Sequence, residues 1–147
     1  MVDPYFTMLW SQNTPTVVEA DADGRLVDVT LIAGSLDVPD PVVPGTVSAQ
    51  TPPPNSWASR SEADVAIWHM RFDRGARWTM PAAAGPETNR IIYPFAGSSL
   101  TIDGDPLAAG TGALIDADRP VELIAGESGI ECIVLQGRPI GEPVARY

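Results

Sequence analysis

The stretch Val65-Ala-Ile-Trp-His-Met-Arg-Phe72 places Ala66, Trp68, Met70 and Phe72 on one side of an extended chain and Val65, Ile67, His69 and Arg71 on the other. Successive strand side chains point to opposite faces, so this alternation predicts a β-strand with the Trp68, Met70 and Phe72 side turned into a core. Asp73-Arg-Gly75 then supplies a turn, and a partner strand runs from Ala76 to Met80.

The same grammar extends in both directions. Upstream, Leu26 to Ile32 is a strand bounded by Ala22-Asp23-Gly24 and by Gly34. Downstream, strands are predicted at Arg90 to Phe95, ended by Gly97, and at Leu100 to Ile102 before Asp103-Gly104, a dipeptide that favours tight hairpins because both positions tolerate positive φ. After a short return strand, further strands are predicted at Ala113 to Asp116, Val121 to Ala125 and Ile130 to Leu135. Fifteen Pro and thirteen Gly interrupt the chain too often for a long helix. The expectation is an all-β sandwich or barrel of short strands.

Ser35 to Arg60 stands apart, rich in Pro, Ser, Val and Asp and culminating in Thr51-Pro-Pro-Pro-Asn-Ser-Trp57. Three successive prolines cannot supply central-strand hydrogen bonds, so this segment is predicted as a long surface loop or edge segment covering an end of the sandwich.

Composition bounds the function. With 147 residues and 44% apolar content, the chain suits one domain with one core. No apolar run approaches the roughly 20 residues of a membrane span, and the start Met1-Val-Asp-Pro-Tyr-Phe-Thr-Met-Leu-Trp10 has neither the basic region nor the continuous apolar region of a secretory signal, so a cytoplasmic protein without a membrane partner is expected. Nine Lys and Arg against nineteen Asp and Glu, the basic ones scattered, speak against a nucleic-acid partner. Cys132 is the only cysteine, which excludes an internal disulfide and a zinc site of several thiolates; within Ile130 to Leu135 it reads as a small buried hydrophobe.

Gln136-Gly-Arg-Pro-Ile-Gly-Glu-Pro-Val-Ala-Arg-Tyr147 resembles the closing signature of the pirin family's C-terminal domain. Met1-Val-Asp-Pro-Tyr5 with Leu9-Trp10 is similar to the linker leading into that domain, and Pro53-Pro-Asn-Ser-Trp57, Ala66-Ile-Trp68 and Gly75-Ala-Arg-Trp-Thr79 resemble one bacterial branch of the family. Pirins are two-domain bicupins. The resemblance therefore implies a cupin (double-stranded β-helix, or jelly-roll) sandwich over 1–147, excised from a longer chain that holds a metal-bearing N-terminal cupin and a C-terminal tail. In pirins the N-terminal cupin binds a metal, usually iron, through three His and one Glu, and the C-terminal cupin is generally metal-free.

An active cupin motif has a Gly, five residues, His-x-His and then Glu, with another His on a second hairpin. Counted from Gly75, the His-x-His positions fall on Pro81 and Ala83, the Glu position near Glu87 or Arg90, and the second-hairpin His near Ala113. Pro, Ala and Ala donate no lone pair, so no metal, cofactor or catalytic residue is expected in this domain. An isolated cupin binding a small ligand would need a cavity of mixed polarity where Ala83 and Ala113 replace ligands.

The remaining chemical candidates are few. His69, the only histidine, lies opposite the Trp68 face and reads as a surface or interdomain residue, with a pH-sensitive contact as its functional alternative. The pairs Asp21/Asp23, Asp103/Asp105 and Asp116/Asp118 lie at predicted turns, where Asp bonds nearby amides. Ser98 and Ser99 have only His69 as a potential base, and no Gly-x-Ser-x-Gly elbow is present. Trp57 and Trp78 flank loops and suit either burial or a pocket or interdomain contact.

These readings imply a partner domain for the parent's N-terminal cupin, itself a dioxygenase of the quercetinase type using iron or another divalent metal. The alternative is a protein-binding domain of a redox-sensitive transcriptional co-regulator.

Overall fold

The computed structural model describes residues 6, 8–38, 45–85 and 87–143. Met1 to Tyr5 and 144–147, which carry the outer parts of the family-like segments, lie outside the described residues. The strands are β1 (Thr16–Ala20), β2 (Leu26–Ala33), β3 (Ser35–Val38), β4 (Gly45–Ser48), β5 (Ala66–Phe72) and β6 (Arg77–Met80). They continue as β7 (Asn89–Gly97), β8 (Ser99–Ile102), β9 (Asp105–Ala108), β10 (Ala113–Ile115), β11 (Val121–Ala125) and β12 (Ile130–Gly137). One antiparallel sheet runs β1-β2-β5-β12-β7-β10 and a second runs β6-β11-β8-β9, with β3 and β4 forming a separate hairpin.

The core lies between the sheets. The larger sheet contributes Val27, Val29 and Leu31 from β2, Trp68, Met70 and Phe72 from β5, and Cys132 and Val134 from β12. The smaller sheet answers with Trp78, Met80, Leu100, Val121 and Leu123. The face assigned to Val65 to Phe72 from alternation is the observed one. The Asp103-Gly104 hairpin is also present, with Asp103 at φ 48° and Gly104 at φ 94° joining β8 to β9.

Pro94 is fully buried within β7, between β12 and β10, although proline cannot donate to a sheet ladder. A bulge accommodates it: the register of β12 on β7 shifts between Glu131 and Cys132, so that Glu131 faces Ala96 and Cys132 faces Pro94. At Gly97 (φ 98°) the chain turns out of β7 so close to β12 that a Cβ would stand 2.3 Å from the Gly129 carbonyl oxygen, and no other residue fits.

Two elements differ from expectation. Ser35 to Arg60 is not loop throughout: β3 and β4 pair from Ser35↔Ser48 to Val38↔Gly45, and Leu36 is driven into the core. The prolines sit outside the paired residues, which is how a Pro-rich segment accommodates a short hairpin. The strand β1 is an additional edge, held to β2 from Thr16↔Thr30 to Ala20↔Leu26, and of its residues only Val17 is buried.

The acidic pairs organise turns. Asp21 accepts hydrogen bonds from the amides of Asp23 and Arg25 and from Arg25 Nε. Asp103 accepts from the Glu122 amide at 2.8 Å and from Arg119 Nη1 at 2.6 Å, and Asp116 accepts from Arg119 Nε.

Candidate functional site

A cavity of about 210 Å³ opens beside the start of β7. Leu36, Trp68, Arg90 and Gln136 reach it from four strands, and Asp64, Pro81 and Ala83 close it from the loops. A larger surface groove of about 500 Å³ adjoins it at Asp64 and Ala84, and another of about 540 Å³ lies beside β1 and β2, but the buried charged residue among the described residues, Arg90, is here.

Arg90 is 1% exposed. Its Nε, at 2.7 Å, and its Nη2 both donate to Gln136 Oε1, and its Nη1 donates to the Pro81 carbonyl at 2.8 Å. Gln136 Nε2 in turn donates to Asp64 Oδ1 at 3.0 Å and to the Asp64 carbonyl at 3.1 Å. Asp64 Oδ2 accepts from the Ala84 amide and from Thr88 Oγ1. Asp64 ends a short 3-10 turn in the left-handed region, at φ 48°, a conformation that short polar side chains tolerate best. One carboxylate thus ties the end of β12 to the loop that carries Pro81 and Ala83, and an amide relays its charge to the guanidinium.

Burial lowers the basicity of Arg90, and the charge of Asp64 works in the opposite direction. A guanidinium starts so high that it stays charged here. The interior therefore holds a cation whose direct partners are a neutral amide and a peptide carbonyl. Trp68, another wall of this cavity, is 3% exposed, and its Nε1 is the one buried side-chain donor without a hydrogen-bond partner among the described residues.

These residues do not fit a metal ion. Pro81 and Ala83 are cavity walls, and neither side chain has a lone pair to offer. Ala113 lies on β10 opposite Ile92 and is not a wall of the cavity. Of the two positions left open for the Glu ligand, Glu87 is exposed and ion-paired with Arg138, whereas Arg90 points inward. A fixed positive charge would repel a divalent cation at that point. Among the described residues, no group of three or more His, Cys, Asp or Glu is placed to hold a metal.

The other residues singled out in the sequence are dispersed. His69 is on the outer face of the larger sheet, its Nε2 3.1 Å from Glu131 Oε2 and its ring stacked on Phe95 at 5.8 Å. Trp57 is half-buried, donates from Nε1 to the Arg138 carbonyl at 3.0 Å and lies under the Arg60 guanidinium. Trp78 is buried, meets Trp68 edge-to-face at 6.4 Å and donates to Glu19 Oε2 at 3.0 Å. For Trp78 burial is the outcome; Trp57 fastens the chain after β12 to the 3-10 turn that precedes β5. Burial pushes the Cys132 thiol up to about 12, so it is no thiolate nucleophile.

Gln136 and Asp64 carry the site with Arg90, and the sequence reading gave neither a role there: Gln136 entered only as the first residue of the family-like closing segment. Their only sequence signal is position, Asp64 just before β5 and Gln136 at the end of β12, where Gln136 pairs with Ala66 and Arg90.

No family model matches the chain, and no curated protein matches it in sequence. Its fold is a cupin, and it is shared with solved structures. A quercetin 2,3-dioxygenase from Acinetobacter baumannii matches 95% of this chain with a TM-score of 0.65 at 16% identity. A protein from Geobacillus kaustophilus matches 98% with a TM-score of 0.63 at 18% identity. A predicted oxalate decarboxylase from Thermotoga maritima matches 90% with a TM-score of 0.53 at 12% identity. The chain spans 41% of the first and 51% of the second of those proteins, and all of the third. Among the described residues, no helix is long and apolar enough to cross a membrane.

Proposed function

We propose that this chain is the metal-free C-terminal cupin of a pirin-like bicupin and serves as the partner domain of a metal-bearing N-terminal cupin. The observation that carries this reading is the outer face of the larger sheet. Ile91, Tyr93 and Phe95 of β7, Leu114 of β10 and Leu135 of β12 all stand there, each at least 40% exposed. The strands are adjacent, in the order β12-β7-β10, so the five side chains belong to one continuous region. A contiguous apolar patch marks an interaction surface.

The occupant is the N-terminal cupin of the same parent chain. The family-like segments of this chain support a position as the second half of a two-cupin protein, as does the length of two of the structures it resembles, about twice its own. In this reading the chemistry, an iron- or other metal-dependent dioxygenation of the quercetinase type, belongs to the neighbouring half. This half contributes the wall that excludes water from it. The mismatch between the Arg90 cavity and a metal supports the same division of labour.

The test uses the full-length parent. Phe95→Glu with Leu114→Glu is expected to split one cooperative melting transition into two and to reduce oxygen consumption with quercetin at least tenfold. Unchanged melting and turnover would rule out docking through this face. A wild-type parent with neither metal nor turnover would favour the regulatory alternative, in which the same face receives another protein.

A further inference from the structure

We infer that the Arg90 cavity is a binding site for a small monocarboxylate, with Trp68 and Arg90 donating hydrogen bonds to the bound carboxylate. The inference concerns this domain alone and does not depend on the partner-domain reading.

It begins with a count of donors. A guanidinium has five N–H bonds. Three from Arg90 are used, two on Gln136 and one on Pro81, which leaves one on Nη1 and one on Nη2. Trp68 adds an indole N–H without an acceptor among the described residues. A buried donor left unpaired is unfavourable, so a cavity with surplus donors favours an occupant that accepts hydrogen bonds. Asp64 does not take up the surplus, because its carboxylate is engaged by Gln136, the Ala84 amide and Thr88.

Charge and size narrow the class. The guanidinium favours an anion, and its planar fork suits a carboxylate. Asp64 already balances one positive charge, and Asp37 stands on the cavity wall, its carboxylate bonded to the Thr46 hydroxyl at 2.6 Å. Two nearby carboxylates disfavour an occupant of higher negative charge such as phosphate. The Leu36, Ala83 and Trp68 walls provide apolar surface for a short carbon skeleton, and a volume near 210 Å³ limits it to a few heavy atoms beyond the carboxylate.

The test is calorimetric titration of this chain with pyruvate, benzoate and inorganic phosphate. Saturable binding of pyruvate or benzoate is expected, with phosphate at least tenfold weaker. Trp68→Phe, which keeps an aromatic ring and removes the N–H, is expected to weaken carboxylate binding about tenfold, the size of one lost hydrogen bond to a charged group. Arg90→Lys keeps the charge, removes the fork and is expected to weaken binding further. No saturable heat with either carboxylate would overturn the proposal, as would equal binding by Trp68→Phe and wild type. Phosphate binding as tight as pyruvate would overturn the assignment to carboxylates.

Discussion

The two rows of side chains on β7 divide the molecule. The inner row places Arg90 beside Ile92 and Pro94, all three buried, and the outer row exposes Ile91, Tyr93 and Phe95. Each row runs against the ordinary preference of a sheet. A charge is inside, held by an amide, a carbonyl and a remote carboxylate, while three large apolar groups face out with Leu114 and Leu135 beside them. On β5 the same geometry gives the usual answer, with Trp68, Met70 and Phe72 buried and Arg71 outside, paired with Asp28. Where a strand inverts the preference, stability alone does not account for its residues. In the proposed reading the inner row lines a binding cavity and the outer row forms a surface for a partner.

The inner row should yield the largest effect. Arg90→Met leaves Gln136 Oε1 and the Pro81 carbonyl without their donor and Asp64 without its cation, so stability in urea is expected to fall by about 3–5 kcal/mol. Adding Gln136→Leu should recover part of the loss, because an apolar replacement of the whole cluster leaves fewer groups unpaired. A loss below about 1 kcal/mol for Arg90→Met would mean that the cluster does not hold the interior together.

Neighbours in sequence separate the rows next. Ile92→Ala removes a fully buried side chain and should cost about 2–5 kcal/mol, while Ile91→Ala on the outer row should cost under about 1 kcal/mol in this chain. Comparable losses would erase the distinction. Trp78→Phe keeps the packing on Trp68 and removes the hydrogen bond to Glu19, so a smaller cost of about 1 kcal/mol is expected from the same unfolding curves.

How much of this was legible in the sequence depended on whether alternation and core agreed. Val65 to Phe72 alternates between large apolar and mixed residues and could be assigned to faces at once. Arg90-Ile-Ile-Tyr-Pro-Phe95 could not, because alternation there offers Ile91, Tyr93 and Phe95 as the more apolar row, and that row is the exposed one. The Asp103-Gly104 turn was readable from its own chemistry. The β3–β4 hairpin was hidden by the prolines around it, and β1 by its single buried residue. Pro81 and Ala83 were locatable by counting from Gly75, but the cluster of Arg90, Gln136 and Asp64 joins residues up to 72 positions apart. Only the folded chain brings them together.

The smallest expected effect is a pH dependence away from both rows. The Glu122 amide and Arg119 hold the Asp103 carboxyl below its usual value, against a smaller opposing contribution from burial. Its stabilisation is thus complete above the unfolded carboxylate value near ~4 and is lost as pH falls through the lower folded value. Unfolding curves from pH 5 downward should be steeper in pH for the wild type than for Asp103→Asn. Equal slopes would remove Asp103 as a source of acid sensitivity.

The central claim is that the residues around the buried Arg90 guanidinium do not suit a metal ion. Metal analysis of this chain, purified after growth with iron, tests it most directly. The account predicts no metal above background. Close to one ion per chain in the isolated domain would contradict it.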